Sequence, residues 1–254
     1  MKSSRSILPK PVALPPSYDS FFSFPLNKSG YSGVAVYARS SSALPLRAEE
    51  GLSGLLQPKP PLSDDERISK TGGYPNELEM RRLAEEDEPE DGDLWQELDL
   101  RDLDAEGRAL VLDFGLFVLI NVYCPNDGTG TDERLKYKMD FHHMLEARVR
   151  GLMKEGREVV LVGDVNVCVA VEDHCEGELI VKRGLEEGKV GEGGFWDHPG
   201  RRWMRRFLEC GEGEGRGCMI DIVRRFWPNR KGMYTCTSPK LLSVSLLILT
   251  LYLS

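Results

Sequence analysis

The segment VVLVGDVN (159–166) ends an apolar run with Asp164 and Asn166, which are two residues apart. A strand that carries an aspartate out of the core places its carboxylate at the edge where α/β sheets bind ligands. A residue two positions further on projects from the same side while the backbone stays extended. Together the two side chains offer oxygens that suit a hard cation such as Mg²⁺ and the water or phosphate beside it. The pair is also compatible with a simple polar strand end, because both residue types tolerate turns.

A second apolar strand ends in comparable polar groups. INVYCPND (120–127) carries Tyr123 at its end, turns at Pro125 and then presents Asn126. A phenol and an amide can both hydrogen-bond a phosphodiester oxygen, and a tyrosine ring can also pack on a sugar. Read by itself, Tyr123 is more typical of an aromatic side chain at a strand edge. Combined with the carboxylate of Asp164, these groups favour a site that handles phosphate.

The elements that must position these residues alternate between strand and helix patterns. Apolar and β-branched runs predict strands at 34–38, at 109–123 (two strands joined by a turn at 113–115) and at 158–164. A capping residue and an apolar stripe predict one helix from Thr131 to just before Gly156, and a second helix is predicted from about Pro199 to Glu209. Strand, helix and strand in this order predict an α/β fold.

Composition limits the kind of protein that this can be. The 254 residues are 41% apolar and 29% charged, which is enough for one large domain with a sizeable core. A net charge of −8 argues against binding nucleic acid through bulk positive charge, so such binding needs a local basic face. The clustered basic residues fit either solvated helix faces or phosphate contacts; they are Arg201, Arg202, Arg205, Arg206, Arg224, Arg225, Arg230 and Lys231. Six cysteines without a CxxC pair favour a reducing compartment.

Three motifs occur in a fixed order, GYSGVA (30–35), NVYCPN (121–126) and GDVN (163–166). With them, the sequence resembles the exonuclease III-like AP endonucleases, and it looks closest to the fungal form of their type-2 branch. The likeness runs from about Ser17 to Cys236. It implies a partial four-layer α/β/β/α sandwich of the endonuclease/exonuclease/phosphatase type. It also implies hydrolysis of the DNA backbone on the 5′ side of abasic sites, with 3′-5′ exonuclease or 3′-phosphodiesterase activity.

The resemblance also implies roles for individual residues. Asp164 matches the carboxylate that orients and activates the attacking water, and Asn166 matches the asparagine that holds this water and the phosphate. Both are expected at the metal, which is Mg²⁺ with Mn²⁺ as an alternative. Tyr123 matches the tyrosine near the scissile phosphate, Asn126 a residue that contacts DNA or phosphate, and Tyr31 a residue near the minor-groove face. The implied partner is double-stranded DNA with abasic sites or blocked 3′ ends, bound by a nuclear monomer without a membrane.

The domain organisation is predicted in four parts. Residues 1–57 and 105–236 are expected to form N-terminal and central parts of a nuclease domain, and residues 237–254 an unrelated apolar tail too short to cross a bilayer. Residues 58–104 are expected to be an acidic, largely disordered insertion. The reason is the run EEDEPEDGD (85–93), in which seven of nine residues are acidic, so little apolar surface remains to offset the entropy of ordering.

Parts of the family pattern are not found in the sequence. The chain shows neither the early motif whose glutamate binds the metal nor the late aspartate and histidine motifs, which predicts a copy incomplete at both ends with doubtful activity. Two alternatives therefore stay open beside the endonuclease. One is a non-catalytic DNA-binding or regulatory product, and the other is a related phosphatase of the same superfamily. GYSGVA and NVYCPN favour the endonuclease over the phosphatase.

Overall fold

The computed structural model describes residues 4–87, 98–168, 170–208 and 218–231, and the backbone of residues 246–250. The chain divides into two compact units. Unit 1 contains residues 1–124 and 143–162, and unit 2 contains residues 125–142 and 163–254. No helix within the described ranges is long and apolar enough to span a bilayer.

The strands of unit 1, the last of which ends in unit 2, include the predicted ones. After a short helix, α1 (Lys10–Ala13), strands β1 (Tyr18–Ser23) and β2 (Val34–Arg39) pair antiparallel. A second sheet contains four neighbouring strands, namely β3 (Arg47–Glu50), β4 (Ala109–Asp113), β5 (Val118–Tyr123) and β6 (Val159–Asp164). β4 pairs antiparallel with both β3 and β5, and every residue of β4 is buried. β4 is therefore an interior strand of this sheet, and the two strands predicted at 109–123 are confirmed.

The turn predicted at 113–115 joins β4 to β5. The backbone N–H of Gly115 donates to the Asp113 carboxylate at 2.8 Å, and Gly115 has a φ of +81°, which glycine adopts without strain. Arg47 and Arg157 both pair with the same carboxylate. Burial raises the pKa of Asp113, but the hydrogen bonds from Arg157, Gly115 and Arg47 and the charge of Arg157 together outweigh burial and hold the pKa below its usual range. The turn is therefore fixed by a charged side chain as well as by its glycine.

The segment 58–104 differs from the prediction of a largely disordered insertion. It contains helices α2 (Glu77–Asp87) and α3 (Leu100–Asp104), with short 3₁₀ helices at Asp64–Glu66 and Thr71–Gly73. Four of its apolar side chains are buried, namely those of Ile68, Met80, Leu83 and Leu103. Burial of these side chains favours order despite the acidic composition. Residues 88–97, which contain most of the acidic run, lie outside the described residues.

A buried charge cluster also holds this segment in unit 1. The Glu49 carboxylate accepts hydrogen bonds from the Arg148 guanidinium at 2.9 Å, from the Tyr74 hydroxyl at 2.5 Å and from the backbone N–H of Ile68 at 3.0 Å. The Arg148 guanidinium also lies 4.1 Å from the centre of the Tyr74 ring. We call these residues the Glu49–Arg148 cluster. It connects residues 68 and 74 of the acidic segment to strand β3 and to the long helix described next.

The longest helix, α4 (Asp132–Lys154), has the predicted bounds. The Thr131 hydroxyl caps it by accepting from the backbone N–H of Arg134 at 3.3 Å. Residues 132–142 of this helix belong to unit 2, and residues 143–154 belong to unit 1. Most of the helix is buried, so α4 contributes polar as well as apolar side chains to the interior of both units.

Unit 2 contains the remaining elements. They are α5 (Gly177–Glu186), α6 (Pro199–Leu208), β7 (Ile220–Asp221), α7 (Ile222–Phe226), β8 (Leu246–Thr250) and 3₁₀ helices at Val171–Asp173 and Phe195–Asp197. The predicted helix at Pro199 is confirmed, and its Trp203 and Phe207 rings stack at 4.9 Å between centroids. β8 pairs antiparallel with β7. It is the part of the predicted apolar tail that lies within the described residues.

Candidate active site

β6 delivers Asp164 to its end, where the chain leaves the extended conformation. The Asp164 carboxylate accepts a hydrogen bond from the backbone N–H of Asn166 at 2.9 Å, and Asn166 has a φ of +52°. Asparagine is among the residues that tolerate this left-handed region. The condition for the two side chains to project from the same side, an extended backbone, is therefore not met, because a turn closed by the carboxylate itself joins the two residues. Asp164 is partly exposed, whereas Asn166 is 8% exposed.

Two side chains of α4 fix the backbone of this turn. Lys138 Nζ donates to the carbonyl oxygen of Asn166 at 3.0 Å, and His142 Nε2 lies 3.1 Å from the carbonyl oxygen of Val165. A carbonyl can only accept, so His142 carries a proton on Nε2. The two side chains are four residues apart and therefore share one helix face. Successive carbonyls of the turn are thus held by successive turns of α4.

Lys138 also connects the turn to Asp127. Lys138 Nζ donates to one oxygen of the Asp127 carboxylate at 3.0 Å, and His198 Nε2 lies 2.7 Å from the other oxygen. Burial raises the pKa of Asp127, but the hydrogen bonds and charges of His198 and Lys138 together outweigh burial and hold the pKa well below its usual range. Asp127 is therefore a carboxylate at neutral pH. We call Asp127, Lys138, Asp164, Asn166 and His198 the strand-end network.

Asn126 enters unit 2 beside this network. Its backbone oxygen accepts a hydrogen bond from Arg134 Nε at 3.0 Å, so the first turn of α4 holds its main chain. The residue is partly buried and immediately precedes Asp127. The structure therefore places three predicted site residues, Asn126, Asp164 and Asn166, in one unit, with the Asp127–Lys138 pair connecting them.

The two predicted tyrosines lie in unit 1 against one arginine. The Arg108 guanidinium is 5.0 Å from the centre of the Tyr123 ring and 5.5 Å from that of the Tyr31 ring. Arg108 is buried, donates to the carbonyl oxygen of Tyr123 at 2.9 Å and pairs with Glu106 at 2.5 Å. A cation over an aromatic ring stabilises both the ring position and the charge. The structure thus brings Tyr31 and Tyr123 together, although they are far apart in sequence.

Sequence reasoning missed the residues that hold the predicted ones. The missed residues with contacts to the site are Arg108, Asp127, Lys138, His142 and His198. Lys138 offers one detectable signal, because it is a lysine within the apolar stripe of a helix and such lysines are seldom buried without a partner. His198 lies far in sequence from Asp127, its partner in the strand-end network, and offers no comparable signal.

The oxygen donors of the strand end match the chemistry of a hard cation only in part. In the described ranges of the chain, no group of three or more histidine, cysteine, aspartate or glutamate side chains could hold a metal ion. Asp164 and Asn166 supply one carboxylate and one amide. Mg²⁺ commonly takes only one or two protein carboxylates and completes its shell with water and substrate phosphate. The pair therefore fits such an ion as a partial ligand set.

Comparisons with known proteins place these features in a family. No protein-family model matches the sequence. The chain is 36% identical to DNA-(apurinic or apyrimidinic site) endonuclease 2 of Bos taurus, over 93% of the chain and 41% of the bovine protein. It is 33% identical to the protein of the same name from Schizosaccharomyces pombe, over 95% of the chain and 41% of that protein. The chain thus spans less than half the length of these curated relatives.

A solved structure extends the comparison to the fold. The crystal structure of the Xenopus laevis APE2 catalytic domain matches with a TM-score of 0.70 and 29% identity, over 98% of this chain and 71% of that one. The predicted α/β fold of the endonuclease/exonuclease/phosphatase type is therefore confirmed. With its motifs, its relatives and its fold in agreement, the chain belongs to the exonuclease III-like AP endonuclease family.

Proposed function

We propose that this chain is a DNA-repair hydrolase that cleaves the phosphodiester on the 5′ side of abasic sites and processes blocked 3′ ends. The observation that carries the proposal is the strand-end network, in which the Asn166 backbone connects the partly exposed Asp164 carboxylate to the buried ammonium group of Lys138. The names of the relatives support the same reaction class. Double-stranded DNA is the proposed substrate, and the nucleus is the proposed location.

Asp164 is proposed to position and activate the attacking water. Its carboxylate is partly exposed, and the hydrogen bond from the Asn166 backbone fixes its orientation without neutralising its charge. A general base of this kind contributes about 10²- to 10⁴-fold to a rate. Asn166 is proposed to hold the same water and the phosphate through its amide, because Lys138 and Asp164 fix its backbone from both sides.

A bound Mg²⁺, with Mn²⁺ as the alternative, would supply charge neutralisation at the phosphate. Asp164 and Asn166 are the residues proposed to hold it. Lys138 adds a fixed positive charge to this region, because its ammonium group is buried and is hydrogen-bonded to Asn166 and Asp127. A fixed charge in a partly water-excluded site stabilises a developing negative charge more than a solvated charge does.

Tyr123, Tyr31 and Asn126 are proposed to contact the DNA. The Arg108 guanidinium packs against both tyrosine rings and already restricts them. Little side-chain entropy is therefore lost when a sugar or phosphate contacts either ring. Tyr123 keeps a hydroxyl that can donate to a phosphate oxygen. Asn126 offers an amide from a backbone that Arg134 fixes.

The proposal is tested by Asp164→Asn in the 254-residue chain. This substitution keeps the side chain's size and an oxygen that can accept from Asn166, while it removes the charge. We expect incision of a duplex with one abasic site to fall at least about 100-fold, with an unchanged melting temperature and an unchanged affinity for that duplex. Chelation followed by addition of Mg²⁺ or Mn²⁺ identifies the ion.

The matched control is Glu178→Gln, which removes one exposed charge from α5 in the same unit. We expect this variant to cut at the parent rate. A parent chain that does not cut the abasic duplex would contradict the proposed function and would agree with the doubtful activity expected from the missing motifs. Incision by Asp164→Asn within a few-fold of the parent would contradict the role given to the strand end.

A further inference from the structure

Two large aromatic side chains are exposed side by side at the end of α7. Phe226 is 69% exposed and Trp227 is 54% exposed, and their ring centroids are 6.1 Å apart. Scattered exposed apolar residues need no explanation, but adjacent exposed aromatic rings mark surfaces that bind. The nuclease mechanism proposed above uses neither ring.

The same segment is basic, in contrast to the whole protein. Arg225, Arg230 and Lys231 are all exposed, and residues 222–231 contain no acidic side chain. The whole protein has a formal charge of −8, so this segment is a local basic face on an acidic molecule. We call Arg225, Phe226, Trp227, Arg230 and Lys231 the aromatic–basic turn. An acidic partner that also carries flat apolar groups complements it.

The side chain of Arg224 fixes the backbone of the aromatic–basic turn. The Arg224 guanidinium donates to the carbonyl oxygens of Pro228 at 3.2 Å and Arg230 at 2.7 Å, and it pairs with the buried Asp173. Asp221 caps the segment by accepting from the backbone N–H of Arg224 at 2.8 Å. The surface is therefore preorganised, which lowers the entropy lost on binding.

We propose that the aromatic–basic turn binds an unpaired DNA strand, whose bases stack on Phe226 and Trp227 while its phosphates contact the three exposed cations. Bases in a duplex stack on one another and do not offer free faces, so the turn selects single strands over duplexes of equal charge. This ligand differs from the duplex substrate of the strand-end network. The choice of DNA over RNA rests on the proposed function, whereas the choice of an unpaired strand rests on the exposed rings.

The test measures binding of a fluorescein-labelled oligo(dT) strand by anisotropy. We expect the double variant Phe226→Ala/Trp227→Ala to bind at least about 10-fold more weakly, since each stacked base contributes substantially to affinity. Trp227→Phe keeps a ring and should bind within a few-fold of the parent. Leu116→Ala removes an apolar side chain of unit 1 that is more exposed than either ring, at 87%, and should not change the affinity.

The cations are tested separately through salt dependence. Arg225→Gln and Lys231→Gln should each reduce the slope of log affinity against log salt concentration by about 0.7, the value for one contact with a single-stranded phosphate. A duplex with the same number of phosphates should compete weakly. If that duplex competes as well as oligo(dT), or if the double alanine variant binds like the parent, the proposal is wrong. Tighter binding of oligo(U) than of oligo(dT) would overturn the choice of DNA.

Incision measurements keep this inference distinct from the proposed function. Asp164→Asn should bind oligo(dT) like the parent, because Asp164 is not part of the aromatic–basic turn. A chain that binds oligo(dT) through the two rings but does not cut abasic duplex would contradict the proposed function alone. A chain that cuts abasic duplex but binds oligo(dT) equally well without the two rings would contradict this inference alone.

Discussion

Two buried cations on the same helix have very different surroundings. Arg148 in unit 1 pairs with Glu49, and the two side chains are 0% and 2% exposed. Lys138 in unit 2 is 3% exposed, but its partner Asp127 is 21% exposed, and His198, which pairs with the same carboxylate, is 31% exposed. One ion pair is sealed within the protein, whereas the other is buried at the cation and open to solvent at the anion.

The difference shows that burial of a charge does not by itself indicate a functional site. A sealed pair can only stabilise or specify the fold, since no ligand reaches it. An open pair can hold catalytic groups in place at a surface where a substrate binds. The backbone of Asn166 connects the partly exposed Asp164 to the open pair, so exposure of the partners distinguishes the candidate site from the scaffold.

The largest effect on stability is expected from breaking the sealed pair. Glu49→Ala leaves the Arg148 guanidinium buried without its carboxylate, so we expect the free energy of unfolding to fall by about 3 to 5 kcal/mol. Urea denaturation monitored by circular dichroism measures the change. The double variant Glu49→Leu/Arg148→Met is the control and should recover much of the loss. A loss below about 1 kcal/mol for Glu49→Ala would show that the pair does not hold unit 1 together.

Breaking the open pair should affect activity more than stability. Lys138→Met keeps the length of the side chain but removes its hydrogen bonds to Asn166 and Asp127. We expect a loss of about 1 to 3 kcal/mol in unfolding free energy and a fall in incision of about 10- to 100-fold, as for residues that orient catalytic ligands. Incision assays at saturating duplex, stopped at fixed times, measure the fall in activity. Parent-level incision by Lys138→Met would remove the functional distinction between the two pairs.

Acid should lower the contribution of the open pair to the stability of the fold. The folded-state pKa of Asp127 lies below its usual value, so the charged carboxylate stabilises the fold fully above the ordinary pKa of about 3.9, and this contribution is lost as the pH falls below that value. Asp127→Asn lacks the contribution at every pH. We therefore expect the gap in melting temperature between parent and Asp127→Asn to be nearly constant above about pH 5 and to narrow as the pH falls below about 4. A gap that is constant or widens on acidification would contradict the assignment.

The smallest effect is expected at Tyr123. Tyr123→Phe deletes one hydroxyl but keeps the ring against Arg108, so the free energy of unfolding should change by less than about 1 kcal/mol. Incision should fall less than it does in Asp164→Asn. Tyr123→Leu, which also removes the ring, is the comparison and should be less stable than Tyr123→Phe. Equal stability of the two variants would show that the contact with Arg108 contributes nothing.

Local sequence patterns predicted the elements that position the site. The apolar stripe and the Thr131 cap predicted α4, and the apolar run before Asp164 predicted β6, because both signals lie within single elements. The roles of Asp164, Asn166, Tyr123, Tyr31 and Asn126 came from the family resemblance and stay predictions. The turn conformation of Asn166 was not predictable from strand alternation, since the side chain of Asp164 closes it.

Long-range pairs were not predictable from one sequence. Glu49 and Arg148 are 99 residues apart, and His198 and Asp127 are 71 apart, so no periodicity connects them. The order within 58–87 was missed for a related reason. Met80 and Leu83 are three residues apart on one face of α2, but the surrounding acidic residues lower the mean hydropathy and conceal this short stripe.

The spacing of Lys138 and His142 makes the length of α4 a constraint on the chain. Each residue of an α-helix turns by about 100°, so deleting one residue between these two positions would swing one side chain away from the turn by about that angle. Either the Asn166 or the Val165 carbonyl would then lose its donor. Insertions and deletions between residues 138 and 142 should therefore not be tolerated, whatever amino acids are involved.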